Sequence, residues 1–422
     1  MKQSSLISHA ALSTAGVLVQ GLSRFAFTAL IGRFMGPTDL AHVSAWLALA
    51  LILSLLWPTG AGNAASHFLS GAIARGENPT AALRALEKSF WLSCVVMVAL
   101  GVPIALIWLG STVGDTVAVA LLIVSYSGYI FTRGIQVGLG RILDTSVWDF
   151  VSALVTTLLL VGVLSAGASA FLLWPLIIGY SVFVLRVLIT ARGGHGELLA
   201  WTVPTAQMWP VIRWNSLGLL ASNGLIQFSM LFVFAVATPV QAGLYAAAMS
   251  LATPASMLSQ AISQVLLARF SAWAATDTAA HRKYAAVLGG MSVMLAVVFG
   301  VVALFSGLII QLVFGSEYAG AVTVMQLLLA AVFAFSITLV ANAYLLTTNR
   351  TSLATMAAIV GLVAGLAVMV GGFVGGVSGP LSGAIAVLVG YAVSLVITVV
   401  VSLMPRVGAR PLPRDRSTAR LG

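Results

Sequence analysis

Four polar residues recur along the first apolar stretch of the chain, Ser13, Gln20, Arg24 and Thr28, at spacings of 7, 4 and 4. On a helix that spacing puts them on one face. About two hundred residues later Ser216, Asn223 and Gln227 repeat the intervals 7 and 4. A guanidinium flanked by neutral hydrogen-bonding groups suits a polar, anionic ligand, because its planar fork of donors matches phosphate or pyrophosphate. If the stretch crosses a bilayer, an arginine at its centre costs about 2.5–3.5 kcal/mol on insertion scales. Arg24 therefore snorkels outward, pairs with another helix, or lines a water-filled cavity. With no carboxylate read in the middle of any span, such a cavity is expected to be cationic. Arg33, Arg213 and Arg269 are weaker candidates for the same lining, since each stands near the end of an apolar run.

Other chemistries lack their residues. His42 and His67 have no neighbours that would make a metal site and read as packing or interface residues, and the single Cys94 lies in an apolar run. There is no G-x-x-x-x-G-K-[ST] around Lys2, Lys88 or Lys283, no H-E-x-x-H and no readable Ser-His-Asp set. The expectation is no metal, no cofactor and no enzymatic activity. Arg133, Arg186, Arg213 and Arg269 read as snorkelling side chains. Arg141 and Asp144 are close enough on their loop to pair, and Asp149, placed at the start of a fifth helix, reads as a surface residue.

The elements that hold these residues follow from composition. The chain has 422 residues, 60% hydrophobic and 7% charged, with a mean hydropathy of +1.09, against about a quarter charged in soluble proteins. It reads as an integral membrane protein. Charge-free runs converted at about 20 residues per span give a first helix near His9–Gly32, single helices within Leu40–Ala74, Ser89–Gly114, Thr116–Thr132, Tyr284–Ser316 and Tyr318–Asn349, and two each within Phe150–Leu185, Trp214–Ala268 and Thr351–Pro405. The double runs divide at Ala166–Ala168, Thr238-Pro239 and Gly371–Pro380. The total is twelve. Pro58, Pro103, Pro175 and Pro254 fall within spans and are candidate kinks. Trp91 and Trp108, about 26 Å apart along a helix, have the spacing of interfacial anchors.

The positive-inside rule then places both termini in the cytoplasm. All but Arg24 and Arg33 of the 20 Lys and Arg fall in cytoplasmic loops or helix ends, while the outer connections carry Asp39, Asp115 and Glu317. Topology thus accounts for the net charge of +10 without a nucleic-acid partner. The hydrophilic stretch Arg192–Pro210 divides the chain into an N-terminal six-helix bundle, 1–191, a cytoplasmic linker, 192–210, a C-terminal bundle, 211–405, and a basic tail, 406–422. The tail's arginines can touch anionic lipid head groups.

The halves repeat. Pro37 falls on Pro239, His67 on Arg269 and Phe68 on Phe270 at an offset of 202, and Ser13 on Ser216, Gln20 on Asn223 and Arg24 on Gln227 at 203. Six helices per repeat give both halves one orientation, related by an axis along the membrane normal, as in many transporters. The expected fold is all-α: a polytopic membrane protein of about twelve helices in two pseudo-symmetric six-helix bundles.

Several stretches resemble the polysaccharide transporter family, the O-antigen and oligosaccharide flippase (Wzx-like) type, of the multidrug/oligosaccharidyl-lipid/polysaccharide (MOP) superfamily. These are SRFAFTALIGRFMGPTDLAHVSA from Ser23, AGLYAAAMSL from Ala242, VFGSEYAGAV from Val313, YLLTTNR from Tyr344 and GVSGPLSGAIA from Gly376. Their order and spacing cover nearly the whole chain. The resemblance implies a flippase that moves an undecaprenyl-pyrophosphate-linked oligosaccharide across the bacterial cytoplasmic membrane by alternating access, for cell-surface polysaccharide biosynthesis. Arg24 would meet the pyrophosphate; Gln20, Asn223 and Gln227 would meet sugars. Membrane lipids, a polysaccharide polymerase and glycosyltransferases are the partners it implies. Leu267-Ala268-Arg269 lacks the proline that often precedes the matching arginine of that family. Two alternatives compete: a MATE-like drug or metabolite exporter, whose usual intramembrane carboxylates are not read here, and a non-transporting scaffold for glycosyltransferases, for which the short cytoplasmic loops offer little surface.

Overall fold

The computed structural model describes residues 3–74, 80–192, 208–276, 280–348 and 350–404, and the side chains of 3–14, of a few residues at helix ends and of scattered residues in one long helix lie outside that description. The described residues are helical and contain no strand. In order the helices are α1 (Gln3–Met35), α2 (Pro37–Leu56), α3 (Pro58–Ala74), α4 (Thr80–Pro103), α5 (Val113–Gly138), α6 (Ile142–Ser165), α7 (Trp174–Arg192), α8 (Met208–Val236), α9 (Pro239–Thr276), α10 (Ala280–Leu304), α11 (Ser306–Val313), α12 (Val322–Thr347), α13 (Thr351–Val374) and α14 (Gly379–Leu403). Eleven helical stretches are long and apolar enough to cross a membrane. The 38-residue α9 is long enough too, but it is rich in Ser, Thr and Gln. Counting it, and taking α2 with α3 as one element, gives twelve; the fold is that of a multi-pass membrane protein.

Local sequence explains where these helices start and bend. Gly36, at φ 87, turns the chain into Pro37 at the first position of α2, where a missing N–H costs nothing. Thr112 caps α5 by accepting from the Asp115 N–H at 3.1 Å while donating to its carboxylate at 2.7 Å. Leu40–Ala74 is not the single helix expected: Trp57, at φ −145, breaks it before Pro58. Pro103 ends α4 in a π-helical turn, Ile104–Trp108, as expected where a proline removes a ladder bond. Pro254 lies inside α9. Pro175 is the second residue of α7, so it starts a helix and kinks nothing. Trp91 and Trp108 are both exposed; Trp108 closes the apolar stretch Ala82–Trp108, and Trp91 is its tenth residue.

The repeat is visible in the helix bounds. Element α2–α3 begins at Pro37 and α9 at Pro239, an offset of 202. Helices α6 and α13 are likewise offset by 209 at both ends, and the turns behind them hold Gly167 and Gly376, both at positive φ. The additional residues lie in α11 and the 3-10 turn Ser316–Ala321, which have no counterpart of similar length between α4 and α5.

Packing runs both within and between the halves. In the first half α1 lies on α6, and α5 on both α3 and α7; in the second, α12 lies on α9 and α14, and α13 on α14. The halves meet where α2 packs on α8 and α9, α1 on α9, and α3 on α8. Most of the 192–210 linker and the 406–422 tail lie outside the described residues. The end of the molecule where α2 and α9 begin is called the proline end below, and the opposite one the tail end.

Candidate functional site

Arg24 is the tenth residue of the 21-residue apolar part of α1, Ala15–Met35, and so stands near mid-span. One turn toward the tail end, Gln20 donates its Nε2 to the backbone carbonyl of Asp149 on α6 at 2.7 Å. The Asp149 carboxylate is fully buried and accepts from the Tyr129 hydroxyl at 2.8 Å and from Arg133 Nε at 3.0 Å. Helix α1 approaches this group at Gly16, where a side chain would collide with Asp149 Oδ2 and come within 3.4 Å of the Arg133 guanidinium.

These contacts correct three sequence expectations. Asp149 is the eighth residue of α6 and is buried, neither at a helix start nor on the surface. Arg133 does not snorkel; it neutralises Asp149. A carboxylate does lie within a span, and its charge is already matched. The reason is electrostatic: an ionised group taken out of water must be paired and hydrogen-bonded, and the α5–α6 turn at Gly140, φ 75, brings 133 and 149 level. The fourth correction is minor: the ion pair of Asp144 is with Arg186, 3.9 Å away and half-exposed, rather than with Arg141.

Tyrosines fill the next layer. Tyr126 and Tyr129 stand on the Arg133 face of α5 at i−7 and i−4. Arg24 Cζ lies 5.8 Å from the Tyr126 ring centre, within range of a cation–π contact worth about 0.5–2 kcal/mol. Tyr180 of α7 packs at 5.3 Å on Tyr126 and 5.2 Å on Tyr129, and Phe183 at 4.9 Å on Tyr129. Tyr129 and Tyr180 are buried, while Arg24 and Tyr126 are partly exposed. Among the described residues no carboxylate lies within 4 Å of the Arg24 guanidinium. Near mid-span the first bundle therefore holds, among the described residues, the neutralised pair Arg133–Asp149 and, beside it, Arg24 without an acidic partner.

The other expected residues are dispersed. Thr28 donates back to the carbonyls of Arg24 and Phe25 on its own helix at 3.2 and 3.0 Å. The side chain of Ser13 lies outside the described residues. Asn223 donates to Ser222 Oγ at 2.9 Å, also within its helix. The oxygens Gln227 Oε1 and Ser216 Oγ are buried with no hydrogen-bond partner, the latter against Gly60 of α3. No hydrogen bond among the described residues joins this α8 set to Gln20, Arg24 or Thr28. Arg33 lies at the proline end, lining a cavity of about 450 Å³ with Gln311, Phe314 and Glu317, and Arg213 and Arg269 are exposed. His42 packs against Trp46 and Phe234, and His67 against Phe68. Cys94 is buried, and no three His, Cys, Asp or Glu side chains among the described residues cluster as a metal site would need. Sequence reasoning missed Tyr126, Tyr129 and Tyr180 as well as the ion pair. The 3- and 4-residue spacing of 126, 129 and 133 was the available signal.

No family model matches the chain, and no curated protein does. Solved structures do. The chain is similar to an inward-facing multidrug resistance MATE family transporter of the MOP superfamily, with a TM-score of 0.68 at 14% identity over 91% of this chain and 93% of that one. An outward-facing conformation of a multidrug resistance MATE family transporter of that superfamily gives 0.59 at 15% identity over 94% of each. The eukaryotic MATE transporter AtDTX14 gives 0.57 at 15% over 96% of each. At such identities the likeness is one of fold.

Proposed function

We infer that this chain is a transporter working by alternating access between its two bundles, and that its cargo is a lipid-linked oligosaccharide carrying an anionic pyrophosphate. It resides in a bacterial cytoplasmic membrane with both termini inside, and it is not an enzyme. The twelve-helix, two-bundle fold shared with MATE transporters supports the transport part. One observation supports the cargo: Arg24 stands at mid-span, partly exposed and without an acidic partner, because the carboxylate on the neighbouring helix is held by Arg133. A guanidinium in that setting has no carboxylate cancelling its charge, and the donors it does not turn toward Tyr126 suit a phosphate oxygen. Two buried oxygens of α8, Gln227 Oε1 and Ser216 Oγ, have no hydrogen-bond partner among the described residues, which supports a hydrogen-bonding role in the other half once the bundles move apart. Supply by glycosyltransferases and use by a polymerase follow from such a cargo.

The test is made in cells. Arg24→Ala is expected to abolish surface polysaccharide while the protein accumulates in the membrane as wild type does; undiminished polysaccharide removes Arg24 from the account.

A second reading, a MATE-like exporter of drugs or metabolites, gains support from Asp149, since a buried carboxylate is the group through which an ion gradient can be coupled to transport. It predicts organic-cation efflux that Asp149→Asn abolishes. The flippase reading predicts no such efflux.

A further inference from the structure

At the proline end one hydrogen bond joins the two halves across 286 positions of sequence: the Tyr318 hydroxyl donates to the backbone carbonyl of Gly32 at 2.9 Å. Gly32 lies in the last turn of α1, where backbone carbonyls run out of helical donors. Tyr318 is fully buried and reaches it from the 3-10 turn after α11, the segment the first half lacks. The surrounding contacts make the bond's position exact to within small shifts. The ring of Phe314 covers Gly32 so closely that an added methyl there would stand 2.6 Å from it, and Arg33 Nη1 lies 3.0 Å from where a side chain on Gly315 would begin. At the start of α9, Gly243 has no side chain because the backbone of Pro37 occupies that space.

Separation of the halves at this end would strip the Gly32 carbonyl of its donor and uncover Tyr318, a residue otherwise enclosed. Among the described residues no other hydrogen bond is seen between the halves, and contacts such as Trp57 on Trp209 at 5.8 Å can slide without losing a bond. We propose that the Tyr318–Gly32 hydrogen bond is the latch that keeps the proline end closed, and that opening to that side requires its rupture. The proposal rests on the alternating-access part of the functional reading and is independent of the cargo.

The test uses the full-length protein, spin-labelled at Val113→Cys in the first half and Val374→Cys in the second, both exposed residues at the proline end, in a Cys94→Ser background. Distances between the labels are measured by double electron–electron resonance in lipid nanodiscs. Tyr318→Phe keeps the ring and removes only the donor, so the separated population is expected to rise about fivefold, the usual net worth of one hydrogen bond. Gly243→Ala, which must displace Pro37, is expected to lengthen the same distance further. A distribution in Tyr318→Phe that coincides with the wild type overturns the latch, whether or not Gly243→Ala moves. The readout needs no substrate, so a failure to transport lipid-linked sugar would sink the cargo reading and leave this result intact.

Discussion

Asp149 and Arg133 stand 16 residues apart in sequence and 3.0 Å apart in space, with the carboxylate wholly buried. That pairing decides what Arg24 can do. Were Asp149 free, it would be the natural counter-ion for an arginine one helical turn beyond Gln20, whose side chain bonds the Asp149 backbone. Held by Arg133 and Tyr129, it leaves Arg24 over the Tyr126 ring with its charge uncancelled.

Removing one partner of that pair should cost far more than removing both. Asp149→Ala leaves Arg133 buried without a counter-ion, at about 3–5 kcal/mol, whereas a well-packed apolar pair is often neutral. Thermal unfolding in detergent should show a large drop in Tm for Asp149→Ala and recovery of most of it in Asp149→Leu with Arg133→Met. An equal drop in the double variant would show that the two do not act as a unit.

Tyr129→Phe removes a donor to the same carboxylate and keeps the ring against Phe183. Hydrogen bonds to charged groups contribute about 1.5–3 kcal/mol, so Tm should fall by less than in Asp149→Ala, with transport retained at permissive temperature. Loss of transport at full stability would instead place Tyr129 in direct contact with the cargo.

Two glycine substitutions separate close packing from open space. Gly16→Ala drives a methyl into Asp149, whereas Gly162 has nothing within 4 Å of an added side chain. The first should destabilise by about 1–3 kcal/mol, as overpacking does; the second should be neutral or slightly stabilising, since alanine is the better helix former. Equal unfolding temperatures for the two variants would contradict the packing of α1 on Asp149.

The orientation argued from charge is tested by Thr112→Cys, at the exposed cap of α5. An impermeant maleimide should label it in intact cells without lysis. Labelling only after lysis would invert the topology.

The fold was legible where residues are punctuated by polarity. Pro37 and Pro239 announced a repeat, and each is the first residue of its helix, α2 and α9; Gly167 and Gly376 stand in equivalent turns. The break at Trp57 was less so: Pro58 shows that a ladder bond is missing, and tertiary contacts decide whether the helix bends or stops. The ion pair was hidden because charge-free runs end at any charged residue, so a run starting at Phe150 pushed Asp149 out of the membrane by construction. Folding the chain about Gly140 sets 133 beside 149, and that register was the missing clue. Arg24 stood out because its helix offers no other charge before Arg33; its tyrosine surroundings come from α5 and α7, which no local pattern links to α1.

The central claim is that the Arg24 guanidinium receives the pyrophosphate of a lipid-linked oligosaccharide. The direct measurement is a leaflet assay in proteoliposomes, with a fluorescent undecaprenyl-pyrophosphate oligosaccharide and wild type compared with Arg24→Ala. The account predicts that wild type transfers the lipid between leaflets and that the variant, equally folded and reconstituted, does so at least tenfold more slowly, the loss of roughly 1.4 kcal/mol or more. Equal rates in the two proteins, or no transfer by wild type, would contradict it.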